Sequence, residues 1–294
     1  RYITGKEVEV DGICDGSHVM IPGIIEHIEQ AGIHSGDSIG VYPPQTLSHN
    51  VKDQILKFSV SIARSLNIKG LFNIQFVIDH AENIYVIEVN PRGSRTIPFM
   101  SKATATPIVS IATKVMLGTS LKDLGYSTEM LPEPEFVAVK APVFSFAKLD
   151  KVDPFLGPEM KSTGEVMGIG HSLDEALYKA LISTNLPLPE KGNILLSIND
   201  REKEIAVALA KELLDMGDDI YATEYTYRYL SQELKAIELM PKDRAPNSIK
   251  SGMIDIVINT PTNGEDSSTL GFMIRRAAME FNIPCITCLS TATW

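Results

Sequence analysis

From about residue 190 onward, short apolar runs alternate with amphipathic stretches, and this regularity limits the fold more than any other feature of the chain. Ile194–Ile198, Ile220–Thr223, Ile237–Met240, Ile254–Asn259 and Ile283–Cys288 read as strands. Glu202–Met216, with Ile205, Leu209, Leu213 and Met216 facing inward, and Leu270–Phe281 read as helices. Strand–helix alternation implies a parallel sheet with helices on its faces. The earlier residues follow another rule. Residues 1–30 alternate apolar and polar positions and break at Asp15-Gly16 and Pro22-Gly23, both turn signals. Leu71–Ile78 and Ile84–Asn90 flank the turn His80–Asn83 and read as paired strands. Ahead of that pair, 31–47 reads as a loop, and Ser48 or Asn50 caps a helix to about Asn67 with the stripe Val51, Ile55, Phe58, Ile62 and Leu66. Thr106-Pro107 opens a helix through Met116, Phe136–Phe146 is strand-like, Leu156–Gly170 is glycine-rich, and Ser172–Ser183 is a capped helix. Leu186-Pro187-Leu188-Pro189 is the clearest linker. The expected class is α/β, an α+β portion followed by a parallel-sheet, Rossmann-like domain, in blocks 1–118, 119–189 and 190–294.

Composition narrows the function. The 294 residues are 44% hydrophobic and 22% charged, as in ordinary globular proteins. A net charge of -10 argues against a nucleic-acid partner, which needs a basic face. No apolar run approaches the roughly 20 residues of a membrane span, and no signal-peptide pattern opens the chain. Three cysteines give no disulfide framework and suit a reducing cytoplasm. Cys285 and Cys288 have C-x-x-C spacing, but zinc would need two more ligands and none is near, so they read as ordinary thiols. The chain opens on Arg1 and ends on Trp294 as though cut at both ends.

The chemistry concentrates in Ile87-Glu88-Val89-Asn90-Pro91-Arg92-Gly93-Ser94-Arg95. Residues two apart on a strand share a face, so Glu88 and Asn90 can present oxygen to one hard cation. Gln75, on the preceding strand, can join them, and Arg92 and Arg95 can clamp phosphates that the cation bridges. A plain strand end followed by a loop would also produce this pattern.

Longer runs carry a resemblance. Leu71-Phe72-Asn73-Ile74-Gln75-Phe76 followed by Ile87–Arg92 resembles the end of an ATP-grasp fold. Ser94–Ala103, Glu29–Ser38 and Leu156–Gly168 resemble the large subunit of carbamoyl-phosphate synthase. The likeness covers almost the whole chain and corresponds to the later portion of the second ATP-grasp unit plus the methylglyoxal-synthase-like regulatory domain. It implies that Gln75, Glu88 and Asn90 hold Mg2+ or Mn2+, that Arg92 contacts phosphate, and that Arg95 lies near the phosphoryl acceptor. It also implies that Glu7 receives the ATP ribose and that Gly32, Ile33, His34 and Ser35 approach the nucleotide. Glu7, His27 and Gln30 fall near the family's monovalent-cation site, so K+ is implied. Without the family, Glu7 reads as an outward charge on an edge strand, the usual fate of a lone Glu, His34 as a loop histidine, and His27 as a helix cap. The implied reaction is phosphorylation of carbamate by ATP, with ammonia from a glutaminase small subunit. The glycine-rich wall of an ATP-grasp site is not seen before Glu7, so the isolated chain is expected to turn over no ATP without the N-terminal remainder of the subunit.

The second half resembles the family's regulatory domain, whose ligand sits at strand carboxyl ends. The resemblance implies effector contacts at Lys203, Thr223, Thr226 and Asn259, for a nucleotide or other anion. Thr223 and Thr226 read equally as helix caps. Three departures stand out. Tyr225 replaces a common glycine and threatens to shrink the pocket. Pro261 stands near a position that is often hydroxylated, and Ala141 stands where some relatives carry an ornithine-binding glutamate. Tyr221, Tyr225, Tyr227 and Tyr229 read as one partly buried cluster, and Arg275-Arg276 as support for the last helix or an interdomain contact. Pyrimidine and arginine synthesis are both open as pathways, with Ala141 favouring the former, and a homo-oligomer is possible. A purely regulatory binding module and another ATP-grasp ligase, such as a biotin-dependent carboxylase, are the rival readings.

Overall fold

A computed structural model describes residues 3–126, 129–146, 153–184, 188–261 and 268–293. Most of the 186–189 linker lies at or outside the edge of that set. The chain forms two compact units, residues 1–142 with 165–180, and residues 143–164 with 181–294.

The first unit is built on a seven-stranded sheet. Its strands are β1 (Lys6–Asp15), β2 (Val19–Gln30), β3 (Gly40–Tyr42), β4 (Lys69–Ile78), β5 (Ile84–Asn90), β6 (Val137–Phe144) and β7 (Ser162–Gly170), in the order β5-β4-β1-β2-β3-β6-β7. The register pairs β1 antiparallel with both β2 and β4, so β1 is central. Period-two alternation sends Val8, Val10 and Cys14 to one face, against Val51 and Ile55 of α1 (His49–Ser65). Ile13 faces the other way, against α2 (Ile97–Ala103) and α3 (Ile108–Met116). Ser48 caps α1 by accepting from the Val51 N–H at 3.3 Å.

Several local expectations change. Residues 31–47 contain β3 and a short 3-10 turn, Ser35–Asp37. In α1, Phe58 and Leu66 are exposed, and the smaller Ser59 and Ala63 are buried instead, where the helix lies close on the sheet. The glycine-rich run becomes β7, packed tightly on α4 (Leu173–Ser183): a Cβ at Gly168 would sit 2.1 Å from the Ala176 carbonyl oxygen. Ser172 and Glu175 form a reciprocal cap at the start of α4, through Ser172 Oγ with the Glu175 N–H and Glu175 Oε2 with the His171 N–H.

The second unit holds a parallel five-stranded sheet. β8 (Asn193–Ser197), β9 (Asp219–Thr223), β10 (Ile237–Met240), β11 (Ile256–Asn259) and β12 (Cys285–Ile286) lie in the order β10-β9-β8-β11-β12. Helices α5 (Lys203–Met216), α6 (Glu224–Leu230), α7 (Ala245–Lys250), α8 (Leu270–Glu280) and α9 (Leu289–Ala292) connect and cover it. The expected two-part organisation, a sheet of antiparallel pairs followed by a parallel α/β domain, is what forms. In α5 the buried residues are Ala206, Leu209 and Ala210, whereas Ile205 and Met216 are exposed. The three cysteines are free thiols.

Candidate functional sites

Glu7, Glu9 and Asp11 alternate along β1 on the face opposite α1, and all three are buried. A central strand leaves Glu7 no edge to face outward from, so the surface-charge reading fails. Beside it, β4 sets Gln75 opposite Glu9 and Asn73 opposite Asp11. β5 then sets Glu88 opposite Gln75 and Asn90 opposite Asn73. The Asn90 amide nitrogen donates to Glu88 Oε1 at 2.8 Å. Gln75 Nε2 donates to Ser35 Oγ at 2.9 Å, and Lys140 Nζ donates to the Ser35 carbonyl at 3.0 Å. The Gly32–Ser35 turn is thereby held over this face, and the Gly32 N–H reaches the Glu7 carboxylate. Gly32 has φ of 118°, a left-handed conformation that favours glycine. His34 Nδ1 accepts from the Gly36 N–H at 3.0 Å, which leaves the ring proton on Nε2.

The charges here are strongly perturbed. Burial raises the Glu7 carboxyl pKa, with His27 opposing and Glu9 and Glu88 adding to the rise. Burial and the neighbouring Glu9 push Asp11 up to about 7. Burial would also raise Glu9, but His27, Lys140 and Asn73 together bring it below its usual value. Glu165, on β7, is raised by burial against the pull of Lys140 and Arg95. Glu9 Oε1, Glu165 Oε2 and both nitrogens of the fully buried His27 have no hydrogen-bond partner. His27 Nε2 lies 3.6 Å from Glu9 Oε1, in mid-strand, so it caps no helix.

Gln75, Glu88 and Asn90 offer one carboxylate and two amide oxygens, a hard-oxygen set that suits Mg2+ shared with phosphates. No three-residue His, Cys, Asp or Glu metal cluster exists among the described residues. Of the residues implied for K+, His27 lies close enough to Glu7 to pull its carboxyl pKa down, and Gln30 pairs with Lys6, the residue next to Glu7, across β1 and β2. Gln30 lines a separate cavity of about 310 Å³ with Lys6, Ile28, Thr46 and Asp79, and neither Glu7 nor His27 lines it. Arg92 is exposed and donates to the Gly93 carbonyl at 3.1 Å, whereas Arg95 is half-buried. The sequence reading missed Glu9, Asp11, Lys140 and Glu165. For Glu9 and Asp11 the visible signal is the alternation Glu7-Val8-Glu9-Val10-Asp11, which marks three acids on one strand face; Lys140 and Glu165 carry no such signal.

In the second unit, Ser197, Thr223 and Asn259 end the neighbouring strands β8, β9 and β11. Thr223 donates to Ser197 Oγ at 3.2 Å and makes no side-chain cap bond to α6. Thr226 Oγ1 accepts the Ile198 N–H at 2.9 Å, so the capping reading fails for both threonines. Lys203 opens α5, pairs with Asp200, and lies 5.9 Å from the Tyr229 ring centroid. Asn259 Oδ1 accepts from Arg275 Nη1 at 2.6 Å. Arg275 in turn grips Asp153 through Nε, at 2.7 Å, and Nη2. Arg276 pairs with Glu280 at 3.0 Å and reaches the Phe146 carbonyl. Tyr225 is exposed with Arg228 over its ring, so it does not fill the strand ends. The tyrosines form no single cluster: Tyr227 and Tyr229 pack with Leu230 and Tyr221 with Leu195, on separate cores.

Comparison with known proteins agrees with both units. Residues 1–124 match the family "Carbamoyl-phosphate synthase L chain, ATP binding domain", and residues 205–287 match "MGS-like domain". The first match falls on the antiparallel sheet of the first unit and the second on the parallel sheet of the second unit. The chain is 51% identical over 298 residues to the carbamoyl phosphate synthase large chain of Clostridium botulinum strain Langeland, and 51% identical to that of strain Loch Maree. Each alignment covers 99% of this chain and 28% of the relative's length. The chain is therefore similar, along nearly its whole length, to a stretch that makes up just over a quarter of these large chains. A biotin carboxylase–β,γ-ATP complex from Campylobacter jejuni is a distant structural neighbour, with 14% identity, 62% of this chain and 46% of that chain covered, and a TM-score of 0.48.

Proposed function

We propose that this chain supplies one wall of an ATP site that phosphorylates carbamate to carbamoyl phosphate in the full-length protein. The observation that carries this is the single sheet face on which Gln75, Glu88 and Asn90 lie beside buried Glu7 and the Gly32–Ser35 turn. Glu88, Gln75 and Asn90 would hold Mg2+, which would supply neutralisation of phosphate charge. Glu7 receives the ribose hydroxyls, and the turn backbone with His34 borders the nucleotide. Arg92 binds phosphate and Arg95 orients the acceptor. Little covalent chemistry falls to these side chains: they align the acceptor oxygen with the γ-phosphorus and exclude water. Manganese can replace magnesium in this oxygen set. The partners are a glutaminase subunit that supplies ammonia and the remainder of the large chain. The setting is cytoplasmic, and the pathway is pyrimidine synthesis in preference to arginine synthesis.

The second unit binds an anionic effector, such as a nucleotide, at the carboxyl ends of β8, β9 and β11. Lys203 and the start of α5 supply positive potential there. Effector binding can be coupled to self-association.

Substituting Glu88→Ala in the full-length protein tests the catalytic reading. Carbamoyl phosphate formation should fall by about 10²–10³-fold, a loss typical of deleting one electrostatic group from a transition-state site. The magnesium concentration for half-maximal rate should rise. Unchanged rate and magnesium dependence would overturn the assignment.

A further inference from the structure

Asp11 lies at the floor of the sheet face described above, 1% exposed, and has no place among the groups proposed to touch nucleotide or metal. Its carboxylate is nonetheless heavily used. Ser94 Oγ donates to Asp11 Oδ2 at 2.6 Å, and Thr96 Oγ1 donates to the same oxygen. The Thr96 N–H returns to Ser94 Oγ at 3.1 Å, closing a small ring around the carboxylate. Asn73 Nδ2 holds the other oxygen at 3.2 Å.

The residue between the two hydroxyls is Arg95. Both neighbours of Arg95 are therefore tied to one atom of β1, the strand that carries Glu7 four residues earlier on the same face. A loop residue flanked by two anchored hydroxyls has little freedom in its own φ and ψ. A fixed Cα then aims a long, flexible guanidinium that would otherwise spread over many rotamers. The Arg95 charge is felt at Glu165, where it opposes the rise caused by burial.

We infer that Asp11 is a positioning residue: through Ser94 and Thr96 it fixes Arg95 relative to the Glu7 end of β1, and so sets the distance between nucleotide and phosphoryl acceptor. This rests on the reading of Arg95 as the acceptor-side arginine. A side chain gripped from three sides by Ser94, Thr96 and Asn73 in a buried network is held rigidly, which suits a geometric role. Asn73 supports the carboxylate from the neighbouring strand, so the anchor draws on β1, β4 and the loop after β5.

The test is a cycle in the full-length protein, with Asp11→Asn, Arg95→Lys and the combination, read as kcat and KM for ATP in carbamoyl phosphate synthesis. Asp11→Asn should lower kcat by about 10²-fold, the cost of misplacing a group by about 1 Å, with KM for ATP unchanged. In the Arg95→Lys background the same change should cost little more, because both act on one geometry. A general structural role would lower both parameters and add fully to Arg95→Lys. Such additivity, or an unchanged kcat for Asp11→Asn, overturns the inference. If Arg95→Lys itself leaves kcat intact, the acceptor-side reading of Arg95 has failed and this inference fails with it. Should Asp11→Asn not fold, Ser94→Ala with Thr96→Val cuts the same tie from the loop side and must give the same kcat-only loss.

Discussion

Thr226 shows how one hydroxyl changes meaning between sequence and structure. It sits at a strand-to-helix turn, where a ligand contact and a helix cap look alike. In the fold its oxygen receives the Ile198 N–H at 2.9 Å, inside the protein. Thr226→Val keeps the shape and removes the acceptor, leaving a buried amide unsatisfied. The expected loss is about 1–3 kcal/mol, read by urea denaturation, and Thr226→Ser should recover most of it. Equal stability of the valine variant would mean that the amide finds another partner. The same limit governed the carboxylates. Glu88 and Asn90 were legible as a pair because period two is a local rule. Glu9 and Asp11 were not, because acids on a strand ordinarily face water. Their burial depends on β2 and β4 flanking β1, which no local pattern encodes. Lys140 and Glu165 join this face only because β6 and β7 extend a sheet begun over a hundred residues earlier.

Elements were legible where their period was strong and their length ordinary. The paired strands β4 and β5 and the alternation of the second unit follow the expected pattern closely. Short helices α2, α6 and α7 carry too few turns to show a stripe. Helix faces were misjudged where small residues, and not large ones, meet the sheet: Ser59 and Ala63 in α1, Ala206 and Ala210 in α5. Close approach selects for size, which a hydrophobic stripe does not register. Helix α8 holds the clearest test at this scale. Arg275 is buried with Asp153 and Asn259 as partners, and Asp153 is held below its usual pKa by burial being outweighed by Arg275 and the Phe155 N–H. Arg275→Ala strands a buried carboxylate and should cost the second unit about 3–5 kcal/mol. Asp153→Ala combined with Arg275→Ala should cost much less than the sum of the two singles. Denaturation midpoints for the three variants measure this, and simple additivity would show that the pair does not interact.

Across the whole molecule, the carboxylic acids raised by burial among the described residues all lie in the first unit, so the two units should answer pH differently. In the first unit Glu7, Asp11 and Glu165 are raised, chiefly by burial, with Asp11 near 7. A carboxyl raised on folding stabilises fully below its unfolded pKa of about 4, and that stability is lost as pH climbs through the folded value. The acids held low, Glu9, Glu26 and Asp15 here and Asp153 in the second unit, act in the opposite sense. Their stability is present above their unfolded pKa and disappears only in stronger acid. Between pH 5.5 and 7.5, therefore, the first unit should weaken with rising pH while the second stays nearly constant. The net charge of -10 adds self-repulsion in the same direction. Hydrogen exchange resolved by peptide, corrected for the intrinsic pH dependence of exchange, separates the two. Peptides from β1 and β4 should lose protection between pH 5.5 and 7.5, whereas those from β8 and β9 should not. Asp11→Asn removes the acid raised to about 7, so its β1 protection should vary less with pH than that of the unsubstituted chain. Constant protection of β1 across this range, or an equal pH response from both sheets, would show that burial on the acidic face does not govern the stability of the first unit.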